Sequence, residues 1–357
     1  MKSIHELPSL DGYVEGEMAR RNIPGISVGI ACGTREVTAR YYGCSNVEHD
    51  CRTKAETVYK IGSISKQFVA TGVLVLVQNG LVHLDDPISC YLLGIPSAWS
   101  GITVRHLLSH TSGLQRESPG FDPYVPRPNH EIVAAAYPLR LLFRPGDNWR
   151  YSNLGYSVLA ELIEKMSGIA FDKFIRQSVF TPAGLSATRT CSIADIVRGR
   201  SASYLDQSGR LTNAGDFLSV RASGAFTSNI NDLLRWDTVL RANTVLSAES
   251  RAAMESPAAL NDGTLVPYGL GWELASINGR RLVHHGGTLW CFRAEFARYV
   301  DDELAVVVLA NHMNANAREM ALTIAGFVKR ELVAPPDVLV GLIERGRSNL
   351  DETAGRT

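Results

Sequence analysis

The sequence lacks an excess of either charge. Its 36 Lys+Arg are matched by 36 Asp+Glu, so the formal net charge at pH 7 is zero. A nucleic-acid partner normally requires a basic excess, and none is available. A membrane span is lacking too: the longest apolar stretch, Val69–Val77, is interrupted by Thr71 and Gly72 and falls short of the ~20 residues that cross a bilayer. Met1–Arg20 holds neither the apolar core nor the small-residue cleavage site of a secretory signal, so a cytoplasmic location is expected. Six cysteines (Cys32, Cys44, Cys51, Cys90, Cys191, Cys291) occur without a CxxC or a Cys/His cluster. Free thiols are the expectation, with Cys44–Cys51 the one pair that could close a loop. Lysine is scarce: only seven of the 36 cations are Lys, so a lysine inside a catalytic motif is less easily put down to chance.

What is present is an ordinary globular chain of 357 residues, 45% hydrophobic and 20% charged, long enough for two domains or one composite domain. Ile26–Cys32 and Glu36–Tyr42 read as an antiparallel hairpin turned by Gly33-Thr34-Arg35. Ser63–Gln78 reads as a helix ended by Gly80. Further helices are expected over Val158–Ser167, ended by Gly168, and over Phe171–Phe180, stopped before Pro182. Four prolines make Glu117–His130 a long surface loop. Strand patterns return at Arg281–His284, Phe292–Tyr299 and Leu304–Ala310, and Ala315–Leu332 is a closing helix. These elements predict an α/β (α+β) fold: an antiparallel sheet built from both ends of the chain, flanked by helices, with a helix-rich insertion. The expected division is residues 1–86 with 212–334 as the sheet domain, 87–211 as the insert, and 335–357 as a short C-terminal helix and tail. A cleft between sheet and insert is the default place for a site.

Three motifs carry chemistry. Ser63-Ile64-Ser65-Lys66 is the only Ser-x-x-Lys in the chain. On a helix, positions i and i+3 share a face, so Lys66 can reach the Ser63 oxygen. A serine hydroxyl is a weak nucleophile until its proton is taken. Neutral Lys66 could take it, at a cost of roughly 4 kcal/mol in lowering its pKa from ~10.4. Tyr151-Ser152-Asn153 is the only Tyr-x-Asn. A tyrosine is a competent base if cations lower its pKa from ~10, and Asn153 offers an amide to a substrate. His284-His285-Gly286-Gly287-Thr288 contains His-x-Gly in two registers. His285 with Gly287 is preferred, because it keeps the expected spacing to the strand restarting at Phe292.

In this order the three motifs resemble those of the serine β-lactamase/DD-peptidase superfamily, nearest the class C β-lactamase-like branch. D-aminopeptidases, DD-carboxypeptidases and family VIII carboxylesterases are relatives there. Thr103–Leu114, Pro145-Gly146 before Tyr151, Gly224–Ser228 with Asp232, and Pro267–Gly271 extend the resemblance over roughly residues 20 to 330. It implies a β-lactamase/transpeptidase-like fold and an acyl-enzyme on Ser63. Lys66 and Tyr151 would handle protons, and His285 would hydrogen-bond or polarise Tyr151 or the substrate. Asn153 and Gly287 would face the substrate, with the Ser63 and Thr288 N–H groups as oxyanion hole. Both Lys66 and Tyr151 are expected to have lowered pKa values and to titrate together. No metal or organic cofactor is implied. The third motif has His where class A and C β-lactamases have Lys, and Cys291 stands where relatives usually have Gly. The chain is also too short for the extra barrel domains of D-aminopeptidases.

The expected function is hydrolysis of amide bonds in D-amino-acid amides or short peptides. The alternative is a carboxylesterase of small esters using the same residues. A β-lactam-binding sensor, an acyltransferase or a weak β-lactamase ranks lower. The expected partner is a small ester, amide or peptide substrate, with no nucleic acid and no membrane. Other patterns read as structural. Gly25-Ile26-Ser27-Val28-Gly29 matches a nucleophile elbow, but Ser27 lies inside a strand. His106 and His110 have metal-ligand spacing without further ligands. Asp85-Asp86-Pro87 reads as a turn, and Asp232 as a helix-start residue. Trp149, Trp290 and Phe292 flank the motifs, either lining the pocket or packing at the domain interface.

Overall fold

The computed structural model describes residues 8–33, 36–120, 122, 125, 127–190, 194–215, 222–224 and 226–354. Its centre is an antiparallel sheet of seven strands: β1 (Gly25–Cys32), β2 (Glu36–Asn46), β3 (Cys51–Arg52), β4 (Glu273–Ile277), β5 (Arg280–Leu289), β6 (Phe292–Tyr299) and β7 (Leu304–Ala310). The spatial order is β4-β5-β6-β7-β1-β2-β3. The two ends of the chain meet where β1 pairs with β7, from Ile26 opposite Ala310 to Cys32 opposite Leu304. Strand β7 is Leu-Ala-Val-Val-Val-Leu-Ala, buried throughout, as a strand covered on both faces must be. Leu304, Val306, Val308 and Ala310 face one apolar cluster. Ala305, Val307 and Leu309 face another, larger one.

Helices α1 (Pro8–Arg21), α5 (Ala317–Val328) and α6 (Pro336–Ala354) supply side chains to the first cluster. Helices α2 (Ser65–Gln78), α3 (Asn153–Ser167) and α4 (Ile230–Arg241) supply the second. Phe68 of α2 meets Phe180 edge-on at 5.3 Å and Trp236 of α4 at 5.0 Å, so the helix that follows Ser63 is locked on several sides. Asp232 starts α4 as expected: the Asn229 side chain accepts from its N–H. Its carboxylate also accepts from the N–H groups of Ala187 and Thr188 and from the Thr188 hydroxyl.

Several boundaries differ from expectation. Ser63 lies in a 3₁₀ turn, Gly62–Ile64, and α2 begins at Ser65. Helix α3 starts at Asn153, five residues before the apolar pattern, because the Ser152 hydroxyl accepts from Gly155 N–H. After Phe171–Ile175 a π turn runs over Arg176–Phe180, and Thr181–Ala183 continues through Pro182. Pro182 is the second residue of the segment that follows the π turn. Strand β5 runs on to Leu289, and α6 is far longer than a short helix because Val338, Leu339 and Leu342 pack into the core. Cys44 and Cys51 are free thiols. Thr34, Arg35 and Cys191 lie outside the described residues.

Arg298, fully buried on β6, donates to Asp237 at 2.8 Å and to Glu255. Removing one partner of a buried pair leaves a charge without compensation, at about 3–5 kcal/mol. Asp237→Ala should therefore lower the free energy of denaturant unfolding by about that much. Arg105→Ala, which breaks the exposed pair with Asp85, should cost about 1 kcal/mol or less.

Candidate active site

The site forms where the 3₁₀ turn before α2 meets β5. Gly62 has φ +52°, in the left-handed region. A β-carbon on Gly62 would overlap the Thr288 backbone, and one on Gly287 would overlap the Ile61 carbonyl. Two glycines thus let two backbones touch. Ser65, inside the Ser-x-x-Lys motif, braces the turn: its hydroxyl donates to Gly62 O at 2.6 Å and accepts from Phe226 N–H at 3.2 Å. The approach brings residues 62–63 beside Thr288, as an oxyanion hole formed by the Ser63 and Thr288 N–H groups requires.

Lys66 is fully buried. Its Nζ lies 3.2 Å from Ser63 Oγ, 2.8 Å from Asn153 Oδ1 and 2.8 Å from Ser223 O. The amide and carbonyl oxygens can only accept, so each holds one Lys66 N–H. In the neutral amine, the lone pair then faces the Ser63 hydroxyl. Asn153 is itself held, its Nδ2 donating to Glu117 Oε1 at 2.6 Å.

Tyr151 is 5% exposed. Lys66 Nζ sits 4.7 Å from its ring centroid and the Arg116 guanidinium carbon 5.2 Å. A lowered pKa was expected here, and the structure reverses it. Burial pushes the phenol well above its usual 10, outweighing a hydrogen bond with Ser63 and the charge of Arg116. Both side chains stand over the ring. Burial therefore favours the protonated phenol at neutral pH.

The strand pleat resolves the histidine register. His285 joins the Tyr151 side, with ring centroids 6.3 Å apart. His284 points to the other face and pairs with Glu295 at 2.7 Å. His285 Nδ1 lies 2.7 Å from Gly286 O, which can only accept, so Nδ1 carries the proton. Nε2 then accepts from the Tyr268 hydroxyl at 3.0 Å. Of the expected partners, Tyr151 or the substrate, Tyr151 is not the one on Nε2, which Tyr268 takes. Burial, with the charges of Lys66 and Arg318, holds the His285 pKa down at about 4, against the opposing pull of Glu273. It is neutral at working pH.

Ser63, Lys66, Tyr151, Asn153, His285, Gly287 and Thr288 thus converge. Sequence reasoning missed Arg116, Glu117, His110, Ser223 and Tyr268 as members. Arg116 and Glu117 follow directly on Thr103–Leu114, which was the available signal, but they open a proline-rich stretch that reads as solvent loop. Tyr268 lies in the quoted Pro267–Gly271. The decoys are structural: Ser27 is buried against the Tyr59 hydroxyl, and His106 caps its own helix with Thr103. That helix, Val104–Leu108, ends before His110. Trp149 packs near His110 and Tyr268. Phe292 is core, and Trp290 is exposed at the β5–β6 turn. Burial raises the pKa of the Cys291 thiol. Among the described residues, no cluster of three or more His, Cys, Asp or Glu could hold a metal.

Residues 10–328 match the family model described as Beta-lactamase. The chain belongs to the beta-lactamase family. The family is one of serine hydrolases. The chain is 30% identical over 305 residues to Penicillin-binding protein 4* of Bacillus subtilis (strain 168), covering 79% of this chain and 66% of that protein. It is 26% identical over 185 residues to Protein flp of Staphylococcus aureus (strain COL), covering 50% and 37% respectively. It therefore spans about two thirds of the first relative's length and little over a third of the second's. Among solved structures, the octameric penicillin-binding protein homologue from Pyrococcus abyssi superposes with TM-score 0.81 at 27% identity, over 96% of this chain and 81% of that one. A D-stereospecific amidohydrolase from Streptomyces sp. shares the fold at TM-score 0.77 and 23% identity, over 91% and 99%.

Two measurements check this geometry. Gly287→Ala should push β5 off the Ser63 turn and lower the rate of Ser63 acylation about 100-fold, read with an acylating inhibitor by mass spectrometry; an unchanged rate contradicts the contact. Second, His285 binds its proton less readily folded (about 4) than unfolded (6.5). Between those values the unfolded state holds more protons, so stability should fall as pH drops from 6.5 toward 4. His285→Gln should flatten that part of the stability–pH curve.

Proposed function

We propose that this protein hydrolyses amide bonds of small amino-acid amides or short peptides bearing a free α-ammonium group, with the D configuration as the expected preference. The observation that carries this reading is Glu117, a part-buried carboxylate hydrogen-bonded to Asn153, the residue that also holds Lys66. A carboxylate beside the acyl-binding position is what an α-ammonium needs; a simple ester has no use for it.

In this reading Ser63 Oγ attacks the carbonyl carbon while its proton passes to Lys66. The oxygen's charge is taken by the Ser63 and Thr288 N–H groups. As the carbon–nitrogen bond breaks, the Tyr151 phenol gives its proton to the departing amine, and Lys66 returns one to Tyr151. Water then cleaves the acyl-enzyme. The raised pKa keeps the proton on the phenol at neutral pH, where it is available to an amine that leaves poorly unless protonated. Neutral His285 holds the Tyr268 hydroxyl and adds no further positive charge.

The test compares D-alanine p-nitroanilide, its L isomer, the N-acetylated D compound and p-nitrophenyl butyrate, with Ser63→Ala as the blank. Ser63-dependent cleavage of the D-anilide is expected. Glu117→Gln should raise KM for it about 10- to 100-fold, as for a lost charged hydrogen bond, and leave the butyrate ester nearly unchanged. Cleavage of esters alone would instead identify a carboxylesterase.

A further inference from the structure

We propose that His110 is the positioning residue of Tyr151: it clamps the phenol against Ser63 by holding the backbone on both sides of it. This rests on the reading of Tyr151 as the proton donor. The His110 carbonyl accepts from Arg150 N–H at 2.9 Å, and its Nδ1 accepts from Ser152 N–H at 3.1 Å. Those two amides flank Tyr151. Between them the imidazole lies on the Tyr151 ring, centroids 4.2 Å apart and planes at 36°. One residue thus fixes the backbone before and after the phenol and one face of its ring. On the side of Ser152 the same turn starts α3 and sets Asn153.

The residue does this at a cost that packing alone does not explain. His110 has φ +64°, a conformation that L side chains rarely adopt. It is 1% exposed. With Nδ1 accepting, the proton sits on Nε2, and that N–H has no hydrogen-bond partner in the described structure. A strained backbone and an unsatisfied buried donor are both destabilising; an apolar side chain would remove the donor but keep the strain and leave the Ser152 N–H without its acceptor. Only a ring acceptor at this place reaches Ser152 N–H while stacking on Tyr151. Tyr268 and Tyr156 pack on the same imidazole, at 4.7 and 5.3 Å between centroids, so its position is itself determined. His110 is buried and its ring acceptor is taken by Ser152 N–H, so it acts through Tyr151.

The experiment uses the full chain and two leaving groups. Departure of p-nitrophenol needs little help from an acid, whereas an aniline or alkoxide needs the Tyr151 proton. His110→Ala should lower kcat on the D-anilide about 100-fold or more, with KM within about twofold, and lower turnover of p-nitrophenyl butyrate less than tenfold. If the enzyme cleaves only esters, the same contrast is read between ethyl and p-nitrophenyl butyrate. His110→Asn keeps an acceptor near the Nδ1 position and tolerates positive φ, so it should recover much of the loss. His110→Phe keeps the stacking, loses the acceptor and should not. In a Tyr151→Phe background, His110→Ala should cost nothing further. Equal losses on both leaving groups, or full additivity with Tyr151→Phe, would overturn the proposal. If Tyr151→Phe itself leaves the poor leaving group unaffected, the proton-donor reading falls, and this proposal with it. Should His110→Ala not fold, the Asn and Phe variants carry the comparison.

Discussion

The whole site depends on one contact, the approach of the Ser63 turn to strand β5. Neither backbone could come so close with a side chain at Gly62 or Gly287. The sheet and α2 are each rigidly packed, so the turn and the strand meet in one fixed relation. Such a fixed relation keeps the N–H groups of the turn and the strand oriented, and donors that are already oriented need no reorganisation when charge develops. The rest of the fold holds the two partners in place: α2 by its aromatic contacts with Phe180 and Trp236, and β5 by its pairing with β4 and β6.

Behind β5 lies a buried ionic cluster that the chemistry does not touch directly. Arg318 of α5 donates to Glu273 at 2.7 Å and to Glu295 at 3.1 Å, and to the Leu342 carbonyl of α6 at 3.0 Å. Burial alone would raise both carboxyls, but Arg318 and the neighbouring histidines hold them below the usual carboxylate range. Glu273 comes within 3.9 Å of His285 Nδ1. The electrostatic setting of His285 is therefore tied to α5, and through the arginine to α6. Such a cluster is costly to break from one side and well suited to fixing a single arrangement.

The site's own electrostatics follow from burial more than from pairing. His285 and His110 are held neutral chiefly by desolvation, with Lys66 as a further cause. Tyr151 is kept as a phenol by the same effect. Around buried Lys66 these rings are neutral, and Asn153 Oδ1 and Ser223 O hold Lys66 Nζ against Ser63.

Much of this was legible in the sequence, and the division has a physical reason. Ser-x-x-Lys, Tyr-x-Asn and His-x-Gly are local patterns. Their spacing within a helix turn, a helix start or a strand already states which atoms can be neighbours, so Ser63, Lys66, Tyr151 and Asn153 could be named, and β1, β6 and β7 read from their apolar runs. What joins the motifs is not local. The protonation of Tyr151 depends on how many distant residues exclude water from it, and the pairing of His285 with Tyr268 on how β5 packs. The placement of Glu117 and His110 depends on which loop lies against which helix start. Those quantities sum over contacts between residues far apart in the chain. The sequence by itself determined which side chains the motifs offer and their order along the chain; only the packed structure decided their charge states, their partners and the face each presents to the others.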